Sequence, residues 1–250
     1  MCCLLNRCAA PVYRMALSLS LAASTRFRQN NNQRPSDIHV IPPRTNTSQI
    51  FTIGHSSHDL TEFVGALTNY EIRVLCDVRS RPGSFRFPQF NREPLDACLA
   101  SAGIRYEFLG QKLGGRPSDP RVYYEDGVVN YENRRKAADF CAGVDRALEL
   151  SRDSTIALMC AEEDPLECHR FLMICPALLE RGVTPSHIRR GAELESQRDA
   201  EDRLLKLHDL TAFDSGSLFA SERGTALQEA LRLQSKEFAF RASAEALEYF

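Results

Sequence analysis

From residue 50 onward the chain alternates short apolar runs with longer segments of helical periodicity, and this alternation constrains the fold more than any other feature. Ile50-Phe51-Thr52-Ile53, ending at Gly54, reads as a buried strand. A helix follows with Leu60, Phe63, Val64 and Leu67 at i, i+3, i+4 and i+7, and with Asp59 and Glu62 in its first turn. Ile72–Val78 is the second strand. Asn91 then caps a helix carrying Leu95, Cys98, Leu99 and Ala102, stopped by Gly103. Arg105–Leu109 is the third strand, and the stretch from Gly110 to about Asn130 reads as a long loop. A helix with Phe140, Cys141, Val144 and Leu148 on one face leads to a fourth strand, Thr155–Cys160. Asp164 and Pro165 open a helix with Cys168, Phe171, Leu172 and Cys175 inward and Gly182 past its end; Pro185–Ile188 is a short fifth strand. Continuous apolar strands separated by helices predict an α/β fold: a three-layer, Rossmann-like domain over 50–190 with a mainly parallel sheet. Two tail helices, about 192–210 and 221–247, form a C-terminal helical extension over 191–250. Leu204, Leu205, Leu207, Leu210, Leu227, Leu231 and Phe238 are expected to pack it on the core.

Charge follows the same divisions. Residues 1–49 carry +5, residues 50–190 carry −2 and residues 191–250 carry −5. The basic leader lacks periodicity, contains Gln29-Asn30-Asn31-Asn32-Gln33 and is expected to be disordered. It reads as a short secretory h-region, as an organellar transit peptide, or as an overlong start whose translation begins further in; the last, or a dispensable leader, is favoured. A net charge of −2 over 250 residues gives no global pull towards nucleic acid. No run approaches the roughly 18 apolar residues of a membrane span. The nine cysteines are too dispersed for a disulfide framework, which points to a reducing, cytoplasmic setting, or an organellar one if the leader is a transit peptide.

Ligands of such sheets bind beyond the carboxyl ends of the strands. Four strand ends carry reactive side chains there: Gly54-His55-Ser56-Ser57, Cys76-Asp77-Val78-Arg79-Ser80-Arg81, Leu113-Gly114-Gly115-Arg116, and the run from Cys160 to Arg170. Asp77 and Arg79, two apart, share a face, and either meet a substrate or pair with each other to tie the loop. Arg73, Arg79, Arg81, Arg86 and Arg92 face only Asp77 across residues 73–92, a surplus of guanidinium suited to an anion. Phe85, Phe87 and Phe90 interleave with them, to stack a base or to join the core. Gly114-Gly115-Arg116 outlines an anion nest, or simply a turn. Glu162 shares a face with Cys160 and suits general acid–base work. Cys168 falls at a helix start, which favours its thiolate and makes it the expected reactive thiol, with Cys160 behind it. Cys160, Cys168, His169 and His55 amount to four zinc donors, but an eight-residue gap between the cysteines fits no standard zinc knuckle, so no cofactor is expected and zinc is a minor alternative.

Several of these runs together resemble one family. Gly54-His55-Ser56, Asp77-Val78-Arg79-Ser80, Pro88-Gln89-Phe90-Asn91-Arg92, Leu113-Gly114-Gly115-Arg116 and Met159-Cys160-Ala161-Glu162…Pro165…Cys168-His169-Arg170 look like the mostly bacterial "domain of unknown function 488" family over about residues 50–190. The tail, with Gly216-Ser217-Leu218-Phe219 and Ala226–Phe240, is similar to the extension of longer members. The resemblance implies no agreed reaction. It implies the same pocket that the strand ends outline.

The resulting expectation is an enzyme, a hydrolase or transferase, acting on a small anionic substrate that is phosphorylated or nucleotide-like. Asp77, Cys160, Glu162, Cys168 and His169 are the expected catalytic groups. His55, Ser56, Arg79, Arg92, Gly114, Gly115, Arg116 and Arg170 are the expected binding groups, with Arg79, Arg116 and Arg170 converging on one anion. The alternatives are a non-catalytic module that binds nucleotides or nucleic acid through the loop at 79–92, and a Cys/His metal protein.

Overall fold

The structure, a computed structural model, describes residues 49–211 and 220–243. The expected leader and Gly216-Ser217-Leu218-Phe219 lie outside them. Six strands form one mixed sheet in the order β3-β2-β4-β1-β5-β6: β1 Ile50–Gly54, β2 Val74–Asp77, β3 Arg105–Phe108, β4 Ile156–Cys160, β5 Ser186–Ile188 and β6 Leu194–Ser196. All pairings are parallel except β5–β6. The edge strand β6 was not expected from the sequence, which runs a helix from about 192. It is three residues long and mostly solvent-facing, too short to show a period of two.

Two helices, α1 (Leu60–Asn69) and α2 (Arg92–Ser101), cover one face of the sheet. Asp59 caps α1 by accepting the Thr61 N–H at 2.8 Å, and Phe63, Ala66 and Leu67 face inward against Phe51, Leu75 and Met159. Asn91 precedes α2 as expected, but its side chain accepts the Ser84 N–H at 2.7 Å instead of capping the helix. The opposite face is covered by α5 (Ala138–Asp153), α6 (Cys175–Leu179), α7 (Gln197–Leu207) and α8 (Ala220–Phe238). Along β4 the faces alternate. Ile156, Leu158 and Cys160 pack towards α5 and α8, and Ala157 and Met159 towards α1 and α2.

Three departures from the expected outline shape the site. The stretch from Gly110 to Asn130 is partly ordered into α3 (Gly110–Leu113), a 3-10 turn at Pro120–Val122 and a bridge between Tyr123 and Val129, followed by α4 (Tyr131–Lys136). Gly143 of α5 lets α3 dock, since a Cβ there would come 2.8 Å from Leu113 Cδ2. The helix expected from Asp164 is broken. Asp164 caps only a 3-10 turn, Pro165–Glu167, and Cys168 is extended (φ −134°, ψ 140°). A π turn over Arg170–Ile174 then runs into α6, because Pro176 lacks the N–H that a regular α-helix needs there. Finally, α8 ends at Phe238 and not near 247. From Ala239 to Ser243 the chain is not helical, Ala242 donating to the Gly127 carbonyl at 2.9 Å, and residues 244–247 of the expected helix lie outside the described residues. Leu204 and Leu205 are buried and Leu210, Leu227 and Leu231 pack partly on the core, whereas Leu207 and Phe238 are exposed.

Candidate functional site

The parallel register brings three strand ends side by side. Gly54 pairs with Cys160, and Asp77 with Met159. The ladder continues past the strands: His55 and Ser56 donate to the Cys160 and Ala161 carbonyls at 2.9 and 2.8 Å, and Val78 donates to Met159 at 3.0 Å. Gly54 is required here, because a Cβ would lie 1.8 Å from the Glu162 carbonyl oxygen. Above this edge lies a cavity of about 330 Å³. His55, Cys160, Glu162 and His169 lie towards the strands, Arg79, Arg81 and Arg116 add cationic wall, and Phe238 and Phe240 bring the tail to its rim.

Within this edge, Cys160, Glu162, Cys168 and His169 converge, with one donor atom from each lying within 4.8 Å of the others. His169 Nε2 is 3.0 Å from the Val78 carbonyl oxygen. A carbonyl only accepts, so Nε2 carries a proton, and Nδ1 faces the two sulfurs, Cys160 Sγ at 3.6 Å and Cys168 Sγ at 3.8 Å. Gly115 packs on the imidazole, where a Cβ would come within 3.0 Å of His169 Cγ. The Arg170 N–H points at Cys168 Sγ (3.5 Å).

Charge is distributed unequally over the two thiols. Burial raises the Cys160 thiol, and its hydrogen bond and proximity to Cys168 raise it further. Burial would raise Cys168 too, but the bond from Cys160 and the charges of Arg170 and His169 outweigh it and hold this thiol below its ordinary value. Burial and the charge of Cys168 raise Glu162 above the usual carboxylate range, although the residue remains exposed to solvent. Cys160 lines the cavity, and Cys168, whose backbone is extended, is buried next to it.

Asp77 and Arg79 pair with each other. Asp77 is fully buried; Arg79 donates to it through Nε and through Nη2 at 2.6 Å, and the Tyr106 hydroxyl donates at 2.8 Å. Arg79 also donates to the Phe90 carbonyl at 2.9 Å and to His55 Nε2 at 3.1 Å. Asp77 is thus walled off from the cavity. His55, stacked on Phe90 at 4.5 Å, is pushed down to about 4 by burial and then by Arg79, so it is neutral near pH 7. It does not join the Cys/His cluster.

The expected convergence of Arg79, Arg116 and Arg170 is not found. Arg170 is buried and donates to the Glu162 and Glu163 carbonyls at 2.6 and 2.8 Å, holding the loop after β4. Arg92 lies over the Tyr106 and Phe108 rings, away from the cavity. Arg116 does line it, with its guanidinium 4.8 Å from the centre of the Phe240 ring. Gly114 supports the turn, a Cβ there meeting Ser80 Oγ and the Gly110 carbonyl at 2.4 Å. Ser56 takes a positive φ of 39° beside His55, whose Nδ1 donates to its carbonyl at 3.1 Å. Phe90 is core, Phe87 is half-buried and Phe85 is fully exposed. Sequence reasoning missed Tyr131 and Phe240 as cavity residues, and placed Phe238 in the core. The end of α8 and the chain just after it bring the two phenylalanines there, and no local pattern encodes that path.

Fold and site together define a class: a Rossmann-like α/β domain with a cavity beyond the carboxyl ends of its central strands. Residues 59–174 match the family model described as "Domain of unknown function DUF488", which supports the family resemblance of the α/β domain. No curated protein and no solved structure matches the chain.

Proposed function

We propose that this protein is an enzyme, a hydrolase or transferase, that acts on a small anionic substrate, phosphorylated or nucleotide-like, in the cavity over Cys160, Glu162, Cys168 and His169. One observation carries the reading: the same cavity has a guanidinium wall, Arg81 and Arg116, and a cluster of thiol, imidazole and carboxylate groups facing it. Arg116 offers an exposed fork for an anion, and Phe238 and Phe240 offer apolar surface for a base or sugar beside it. Glu162 is the exposed member of the cluster and the group that handles the proton; the thiol pair supplies the activating centre behind it. Asp77 is assigned a positioning role through Arg79. A cytoplasmic setting belongs to the same reading, supported by the free thiols of Cys76, Cys141, Cys160, Cys168 and Cys175. No helix among the described residues is long and apolar enough to cross a membrane.

A turnover screen over nucleotides, nucleosides and phospho-sugars tests this. Wild type should convert at least one phosphorylated compound, and Glu162→Gln should slow that conversion by about 100-fold or more. No turnover by wild type, or equal turnover by Glu162→Gln, overturns the assignment. A second reading rests on Phe85, fully exposed in a loop with the exposed Arg81 and Arg86, which suits stacking on a base without turnover. Binding of a short oligonucleotide that is lost in Phe85→Ala, with no turnover in the screen, would favour it.

A further inference from the structure

We propose that Cys160, Cys168 and His169 hold a single zinc ion, with Glu162 as the exchangeable fourth ligand on the cavity side. Four potential ligand atoms converge at this point of the sheet edge: His169 Nδ1 lies 3.6 Å from Cys160 Sγ and 3.8 Å from Cys168 Sγ, on the cavity side of which stands Glu162. A cation between the nitrogen and the two sulfurs satisfies all three at once. The distances fit: Zn–S of about 2.3 Å and Zn–N of about 2.0–2.1 Å in a tetrahedron set S···N edges of about 3.6 Å. The fourth donor, a Glu162 carboxylate oxygen, lies within 4.8 Å of the other three.

The surroundings are those of a metal site. The other imidazole nitrogen donates to the Val78 carbonyl at 3.0 Å, which fixes the ring and aims Nδ1 at the sulfurs. The Arg170 N–H points at Cys168 Sγ, and the buried Arg170 guanidinium ties down the Glu162 and Glu163 carbonyls. Two thiolates and one imidazole select zinc over magnesium or calcium, which prefer oxygen. Binding replaces two S–H bonds by two Zn–S bonds, and both protons leave to solvent. Three protein ligands with a displaceable fourth is the pattern of catalytic zinc, in which the open position polarises a substrate oxygen or a water. That last role rests on the enzyme reading above. Metal uptake does not.

The test uses the full chain, reduced with a phosphine and carrying no histidine tag. Titration with Co²⁺ should produce a sulfur-to-cobalt charge-transfer band that saturates at one ion per chain and disappears on adding equimolar Zn²⁺. Zn²⁺ should protect Cys160 and Cys168 from alkylation, located by peptide mapping, and leave the labelling rate of Cys141 unchanged. Cys168→Ser should weaken Zn²⁺ binding by more than about 100-fold, beyond the range for loss of an outer-shell contact; Cys141→Ser should not change it. If Cys168→Ser fails to fold, the wild-type spectrum and protection pattern decide alone. Absence of the charge-transfer band, protection of neither cysteine, or unchanged affinity in folded Cys168→Ser overturns the proposal. Anion binding measured on metal-free protein reports on the cavity separately, so failure of one reading leaves the other standing.

Discussion

The Nε2–H of His169 donates to the Val78 carbonyl at 3.0 Å, and this one bond decides that Nδ1 faces the sulfurs of Cys160 and Cys168. It also couples the two chemical halves of the sheet edge, because Val78 follows β2 and His169 follows the turn after β4. Val78 is itself flanked by the Asp77–Arg79 pair.

That pair is read here as a clamp, which separates it from a catalytic acid. Asp77→Asn leaves the buried Arg79 guanidinium without a counter-charge and should cost about 3–5 kcal/mol of stability, measured by urea unfolding. A variant that unfolds like wild type and loses only activity would contradict the clamp.

Two glycines, one in β1 and one in α1, give a contrast. Gly54→Ala drives a Cβ into the Glu162 carbonyl at 1.8 Å and should lower the thermal midpoint by several degrees, since overpacking costs about 1–3 kcal/mol or more. Gly65→Ala, exposed in the middle of α1 with open space around it, should raise stability by about 0.5–1 kcal/mol. Equal midpoints for the two variants would mean that β1 does not approach the loop after β4 so closely.

Gln234 fastens α8 to the site. It is buried, donates to the Leu166 carbonyl at 3.1 Å and meets His208 Nε2 at 2.8 Å. Gln234→Ala should cost about 1–3 kcal/mol by leaving the Leu166 carbonyl unpaired, seen as a lower urea midpoint with an unchanged slope.

Acid should weaken the fold in a defined window. Burial, then Arg79, pushes His55 down to about 4, and burial, then Arg170, pushes His187 down to about 3. Both values lie below the ordinary 6.5, so the unfolded chain takes up these protons first. Stability present above pH 6.5 is therefore lost as pH falls towards 4, with the His187 share continuing to about 3; each histidine contributes at most about 1.4 kcal/mol per pH unit. Asp164, held down despite burial by Arg203, the Leu166 N–H and Arg189, acts only below the carboxylate range. Unfolding free energies that stay flat from pH 7 to 4.5 would contradict the two buried histidines.

The sequence carries much of this fold in plain form. Strands β1 and β4 are legible because they are apolar on both faces, and α1 because Asp59 caps a regular apolar stripe ended by Tyr70-Glu71. The strand-end residues are legible too, since the two-residue offset places Cys160 beside Glu162 and Asp77 beside Arg79. What was not legible is where long side chains turn. Arg170 reads like Arg116 in sequence, yet one guanidinium is drawn inward by two carbonyls and the other lies at the cavity. The break at Cys168 was hidden because Asp164-Pro165 starts a 3-10 turn as readily as an α-helix, and because the effect of Pro176 falls eleven residues after Pro165.

Binding of a diphosphate group by the full chain tests the central claim, that the cavity over the cluster is an anion site, most directly. Inorganic pyrophosphate and a nucleoside diphosphate should each raise the thermal midpoint of wild type by several degrees near saturation, because a ligand at 100 times its Kd adds about 2.7 kcal/mol. The rise should vanish in Arg116→Ala and persist in Arg152→Ala, which alters an exposed guanidinium at the end of α5. No rise in wild type, or an equal rise in both variants, would contradict the account.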